Sequence, residues 1–302
     1  MSYLEAQPRR VVLLLSSALG DSLLFCIVAH NARRRGMHVS VFGDQAMLLK
    51  GWLPDLAVAP TPSRADLPKI LSAFDVVLQL HTDRPFADVS VCHPNVRVLA
   101  DIPNASSPES MVDRLAGFCR SEWSIDNPER HNGLRAPEGL VHRRYAKRVV
   151  IHPTASTQDK CWLPSRFIAL GKALRRAGYD PQFVLAPHER AAWPAVEREG
   201  MGMPVFASLS DVAAWIYESG WFIGNDSGIG HLASNLQIPT LSLFMRRGIA
   251  RTWRPDFGHA RILIGGGFIP TGRLKERYWK YALTVGSVMK AFAQLRAEVG
   301  DS

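Results

Sequence analysis

Cysteine is scarce and scattered in this chain: Cys26, Cys92, Cys119 and Cys161 are the four present, with no CxxC pair and no Cys/His spacing of the zinc kind. A disulfide framework and a structural metal are therefore not expected, and a reducing cytoplasm fits best. Long apolar runs are also missing. No segment offers the ~18 uninterrupted apolar residues of a membrane span. Arg9-Arg10, the run Val11 to Leu15 and the small residues Ser16-Ser17-Ala18 imitate a secretory signal, but the run is too short and Asp21 interrupts any longer one. The reading is a soluble protein, or one peripheral to a membrane. Three further absences narrow the function: the loop after the first strand, with only Gly20, is no GxGxxG fingerprint, there is no Asp-rich metal motif, and there is no aromatic-and-basic interleaving of a nucleic-acid module. No cofactor, no metal and no specific nucleic-acid partner are expected.

What is there is ordinary globular material, 302 residues with 47% hydrophobic and 21% charged, about twice the commonest domain length, so two domains are the starting expectation. The formal net charge of +9 favours polyanionic partners, whether nucleic acid, anionic lipid or a phosphorylated glycan. Charge alone does not choose among them, and a basic but inert surface stays open.

Short apolar runs alternate with amphipathic stretches in both halves, the pattern of mainly parallel sheets covered by helices. In the first half the spacing predicts strands over Val11 to Leu15, Val39 to Phe42, Val76 to Leu80 and Val96 to Leu99, with helices near Asp21 to Arg35, Leu67 to Ala73 and Glu109 to Arg120. The second half restarts at Val149 to His152 and continues through Phe183 to Leu185, Trp221 to Ile223 and Thr240 to Phe244. Helices are predicted around Pro164 to Ala177, Glu189 to Glu199, Ser210 to Ser219, Gly230 to Leu236 and Val285 to Val299. The polar stretch Ser124 to Arg144, with Pro128, Gly133, Pro137 and Gly139, reads as a linker, placing the boundary near residue 145. The expectation is an α/β protein of two Rossmann-like domains, 1–145 and 146–284, facing across a cleft, with ligands at the carboxyl ends of the strands.

Three strand-to-helix loops carry candidate chemistry. Ser16 to Ser22 contains Ser17, Gly20 and Asp21, and puts Asp21 in the first turn of a helix, as a cap or as a catalytic carboxylate. His152 to Trp162 gathers Thr154, Ser156 and Lys160, donors suited to a diphosphate, although hydroxyl-rich turns and solvated lysines are common. Phe222 to Ala233 is the strongest, with Asp226, Ser227, Gly228 and His231 in a glycine loop that opens a helix, where free N–H groups and a partial positive charge suit a phosphate. A plain glycine turn capped by Asp or Ser is the bland alternative.

Gly20-Asp21 after the first strand, Thr154 to Ser156 with Lys160-Cys161-Trp162, and Asn225-Asp226-Ser227-Gly228-x-Gly-His231-Leu-Ala before Ile238-Pro239-Thr240 together resemble the lipopolysaccharide heptosyltransferase family, glycosyltransferase family 9. The likeness covers most of residues 9 to 245. It implies a GT-B fold and an inverting, metal-independent transfer from a nucleotide-sugar such as an ADP-heptose-like donor, held by the second domain, to an acceptor held by the first. It implies that Asp21 is the general base, that Ser17 and Gly20 adjoin the acceptor, and that Thr154, Ser156, Lys160, Asp226, Ser227, Gly228 and His231 hold the donor. Glu189 resembles an acidic residue that binds the nucleoside. The final helix, about 285–302, is expected to cross back onto the first domain. Two departures stand out: Phe25-Cys26 replaces a usual Leu-Pro pair, and Ile229 stands where proline is commoner. The stretch Arg246 to Tyr278, with Gly265-Gly266-Gly267 and the basic residues Arg273, Lys275, Arg277 and, just beyond, Lys280, matches poorly.

The expected partners are a nucleotide-sugar donor and an acidic glycan or glycolipid acceptor of lipopolysaccharide type. Cytoplasmic location is expected, with peripheral contact at an anionic inner membrane face. A GT-B-like sugar-nucleotide epimerase or hydrolase, and a non-catalytic nucleotide-sugar binding protein, are the alternatives.

Overall fold

The computed structural model describes residues 9–99, 109–265 and 278–300. The chain divides into two compact units after Arg135. In the first, β1 (Arg10–Leu14), β2 (His38–Phe42), β3 (Ala57–Ala59), β4 (Val76–Gln79) and β5 (Val96–Val98) form one sheet in the order β3-β2-β1-β4-β5. In the second, β6 (Tyr145–His152), β7 (Asp180–Phe183), β8 (Ser219–Asn225), β9 (Thr240–Phe244) and β10 (Ala260–Ile264) take the order β10-β9-β8-β6-β7. All neighbouring pairs are parallel.

Continuous apolar runs explain the central strands. A parallel sheet is covered on both faces, so its inner strands cannot alternate polar and apolar residues. Val11 to Leu14, all of β4, all of β8 and all of β9 are accordingly buried. The edge strands follow other rules: β7 carries Pro181, tolerable because an edge strand can forgo a ladder donor. Strand order reverses between β1 and β4 in one unit and between β6 and β8 in the other. Those two reversals are the topological switch points at which open α/β sheets take ligands, and all three candidate loops leave strands that flank them.

The division differs from the expected boundary near 145 for a local reason. Arg135 N donates to the Trp52 carbonyl at 2.8 Å, and its guanidinium meets Asp55 at 2.6 Å. Arg143 N and Tyr145 N instead donate to the carbonyls of Tyr217 and Glu218, both at 2.9 Å. The linker is thus half committed to each unit.

The helix Val285–Val299 packs in the core of the second unit. Val288, Ala291, Phe292 and Leu295 are buried in one core with Phe167, Leu174, Trp221 and Leu241 of the second unit. Phe292 packs edge-on against both Tyr179 and Trp221. The helix was anticipated from its apolar spacing, but spacing identifies a buried stripe, not the surface that buries it.

The helix expected over Glu189 to Glu199 is broken in two, a 3₁₀ segment Pro187–Ala192 and a short helix Pro194–Arg198, because Pro194 cannot continue a preceding helix. Among the described residues no helix is long and apolar enough to cross a membrane. Gly266, Gly267, Arg273, Lys275 and Arg277, singled out in the sequence, lie outside the described residues.

Candidate functional site

In the first unit the helix Leu19–Arg34 begins five residues after β1 ends. Its N-cap is Ala18, which offers no side-chain hydrogen bond, so Asp21 does not cap the helix. The carboxylate instead turns toward the neighbouring strand. Its Oδ2 lies 2.8 Å from His81 Nε2, just beyond the end of β4, and accepts a hydrogen bond from Ser16 Oγ at 3.2 Å. Both bonds land on one oxygen. Burial pushes the Asp21 carboxyl up, but the His81 hydrogen bond and charge, with Ser16 and the Arg84 guanidinium, outweigh it and hold the group below its ordinary value. The side chains of Asp21 and His81 are only 19% and 14% exposed, so this contact is shielded from bulk water.

His81 was missed in the sequence. It is held in place by Gln79, which is fully buried at the end of β4 and whose Nε2 donates to the carbonyls of His81 at 2.6 Å and Phe86 at 2.9 Å. A polar Gln in an otherwise apolar strand was the available signal, since a buried amide must be satisfied and therefore pins something. Ser17 is exposed and Gly20 half-buried beside Asp21 in the chain.

In the second unit two loops meet. Lys160 closes the short 3₁₀ segment Gln158–Lys160, and its Nζ lies 3.1 Å from Asp226 Oδ2, beyond the end of β8. Asn225, the last residue of β8, joins the loops by buried bonds: its Oδ1 accepts from Trp162 N at 3.1 Å, and its Nδ2 donates to the Pro153 carbonyl at 2.7 Å. Ser227 is the N-cap of the helix Gly228–Asn235, its Oγ accepting from Gly230 N at 3.3 Å. No acidic residue stands in that helix's first turn. Gly224 has to be glycine for a different reason, because a Cβ there would lie 2.8 Å from the His152 carbonyl oxygen, backbone that cannot step aside.

Thr154 Oγ1 lies 3.4 Å from His152 Nε2, whose ring is turned inward by a 2.9 Å bond between Nδ1 and the Val184 carbonyl. Burial pushes the His152 imidazole down, keeping it neutral. Ser156 is exposed. Glu189 accepts from Ala186 N at 2.9 Å, closing its own turn, while its charge is felt by His152. His231 lies within the fold, 5% exposed.

Trp279 is a second contributor absent from the sequence reading. It is fully buried, and its Nε1 donates to the Asp159 carbonyl at 2.9 Å, while Trp162 Nε1 donates to the Leu283 carbonyl at 3.1 Å. Two indoles thus brace the loop that carries Lys160 against the segment leading into the final helix.

The model of glycosyltransferase family 9 (heptosyltransferase) matches residues 102–255. Lipopolysaccharide heptosyltransferase 3 of Escherichia coli (strain K12) is 30% identical over 142 residues, which are 44% of this chain and 41% of that protein, so the match spans less than half of the curated relative. Among solved structures, E. coli heptosyltransferase WaaC with ADP superposes with a TM-score of 0.70 at 15% identity, covering 95% of this chain and all of that one. The same enzyme with ADP-2-deoxy-2-fluoro heptose gives 0.68 at 15% identity, with 95% and 100% covered. At these identities the likeness establishes the fold, two Rossmann-like units of the GT-B kind.

Proposed function

Since the chain belongs to glycosyltransferase family 9, the heptosyltransferases, we propose that it moves a sugar, heptose from an ADP-heptose-like donor, onto an acidic glycan of lipopolysaccharide type. The observation that carries the reading is the pair of loops joined by Asn225, which sets Lys160 beside the start of the helix Gly228–Asn235. A diphosphate needs positive charge and N–H donors in one place, and that junction supplies both. Lys160 has three donor hydrogens, so holding Asp226 does not prevent it from holding a phosphate oxygen as well. Thr154, Ser156, Ser227 and Gly228 complete the donor loops. The WaaC structures with ADP and with ADP-2-deoxy-2-fluoro heptose support an adenine nucleotide as the carrier.

In the proposed reaction the acceptor hydroxyl attacks the anomeric carbon while the bond from that carbon to the diphosphate breaks, inverting the centre. The hydroxyl proton passes to Asp21, and the developing charge on the departing diphosphate is taken by Lys160 and the helix start. His81 and Ser16 orient the carboxylate by holding one of its oxygens, and they keep it ionised. Ser17 and Gly20 border the acceptor. Contact with an anionic membrane face follows from the basic surface and an acceptor displayed there.

A thermal-shift screen over ADP-, UDP-, GDP- and TDP-sugars tests the donor. A ligand that binds only the folded state raises stability by RT ln(1 + [L]/Kd), about 2.7 kcal/mol at a hundred times Kd. An ADP-sugar should raise the melting temperature most; a response to UDP-sugars alone would remove the heptosyl reading.

A further inference from the structure

At the amino ends of the first sheet's strands, away from Asp21, lies a separate concavity. Arg10 opens β1 and His38 opens β2, and the parallel register sets these two residues side by side. Arg33, in the last turn of the helix Leu19–Arg34, and Phe74, just before β4, join them around a cavity of about 350 Å³, with Ser40 and Asp55 also in its lining. Three basic side chains therefore reach one hollow from three separate elements. Asp55 is the one acid in the lining, and its carboxylate is bound by Arg135 at 2.6 Å. Asp75, beside Arg10, accepts from the backbone N–H groups of Arg9 and Arg10 at 2.7 and 2.9 Å. Asp55 is balanced by a cation from outside the lining, and Asp75, which keeps its charge, lies outside the lining and is turned onto backbone N–H groups, so Arg10 and Arg33 face the hollow with no unpaired carboxylate among its lining residues. The Arg10 guanidinium also lies 5.5 Å from the centre of the Phe74 ring, so a cation and an aromatic surface adjoin.

Basic residues often end helices, where they complement the dipole, and Arg33 and Arg34 do so here. That accounts for Arg33. It does not account for Arg10 and His38, which open strands, nor for their convergence on a hollow.

We propose that this pocket binds a phosphate-bearing molecule, its phosphoryl group held by Arg10, Arg33 and His38 and its organic part lying on Phe74. Guanidinium forks match phosphate oxygens in pairs, and Ser40 adds a neutral hydroxyl. The volume is at the small end of the ~300–1,000 Å³ range of small-molecule sites, which suits a compact phosphomonoester or a lipid headgroup. β1 separates this pocket from Asp21 by its five residues, about 13–17 Å at ~3.3 Å per residue. The site is independent of the transferase reading.

The test uses the full chain with two probes. Glycerol 3-phosphate is titrated by calorimetry, and vesicles of phosphatidylcholine, with and without phosphatidylglycerol, are used for co-sedimentation. Arg33→Glu reverses one pocket charge at an exposed position, and Arg198→Glu does the same at an exposed position of the second unit. Lys160→Ala checks that the phosphate signal does not come from the donor loops. We expect Arg33→Glu to weaken binding tenfold or more, on the order of one charged contact, with Arg198→Glu and Lys160→Ala near the parent. Loss confined to glycerol 3-phosphate identifies a soluble ligand, and loss confined to anionic vesicles identifies a headgroup. Absence of binding to either probe, or equal loss in Arg33→Glu and Arg198→Glu, would overturn the proposal. ADP-sugar binding in Arg33→Glu should match the parent, so this outcome stands apart from that of the donor screen.

Discussion

The two switch points occupy the same place in two similar sheets and arrange their charges differently. At β1/β4 the helix begins without a side-chain cap, and a carboxylate, Asp21, already stands in its first turn, held by an imidazole from the adjacent strand. At β6/β8 the helix is capped by a neutral hydroxyl, its first turn has no acid, and the neighbouring loop brings a lysine. A helix start attracts negative charge in either case. In the first unit the carboxylate stands inside the helix's first turn and meets an imidazole, whereas in the second it stands just before the cap, at Asp226, and meets a lysine. One topology thus presents a carboxylate–imidazole pair in one unit and a carboxylate–lysine pair in the other, by the choice of a few residues.

The sharpest way to break this comparison is to remove the charge from the first switch point. Asp21→Asn keeps hydrogen-bond acceptance toward Ser16 and His81 but cannot take a proton, so kcat should fall by on the order of 10²–10⁴ with donor affinity nearly constant. Stability should change by no more than a charge–dipole contribution of ~0.3–1 kcal/mol in addition to the His81 contact. Near-parent turnover by the purified variant would leave the base to be sought elsewhere.

Lys160→Ala probes the second switch point. Losing one charged contact should cost about 1.5–3 kcal/mol of donor affinity, read by calorimetric titration. Asp226, left without its cation, would then face the diphosphate and add to the loss. Unaltered affinity would mean that the lysine serves Asp226 alone.

His81→Ala sharpens the electrostatic half of the comparison. With the imidazole gone, burial, already the largest single influence on Asp21, is opposed by less, and the carboxyl should rise from its present lowered value. The lowered group favours the folded state above the ordinary carboxylate range, and that contribution disappears as pH falls through the lowered value. The variant should therefore lose activity at a higher pH than the parent, seen as a shift of the acid limb of kcat/KM, and an unmoved limb would show that His81 does not tune Asp21. The smallest effect is expected from Ser227→Ala, which removes a cap worth about 0.5–2 kcal/mol and should lower the melting temperature without altering the pH profile.

Much of this was legible in the chain. Central strands are readable because burial on both faces demands unbroken apolar runs, and the candidate loops are readable as places because each lies between an apolar run and an amphipathic stretch, although glycine, hydroxyls and a lysine there also suit ordinary turns. β3 and β10 escaped for different reasons. Ala57–Ala59 is three residues long, and Ala260–Ile264 stands in a basic stretch that the resemblance did not cover. The partner of Asp21 lies 60 positions away, a pairing that depends on β4 lying beside β1 and that no local pattern contains. The same holds for Trp279, which braces a loop 120 positions earlier. Local chemistry is written in sequence, but contacts between distant segments are written in topology.

The fate of the last helix has a practical side. The sheet of the second unit, the helices packed on it and the helix that closes the chain all come from residues after Arg135. A gene fragment starting there would encode that core whole, so the second unit could be produced alone, or recombined with a different first half, as a cassette.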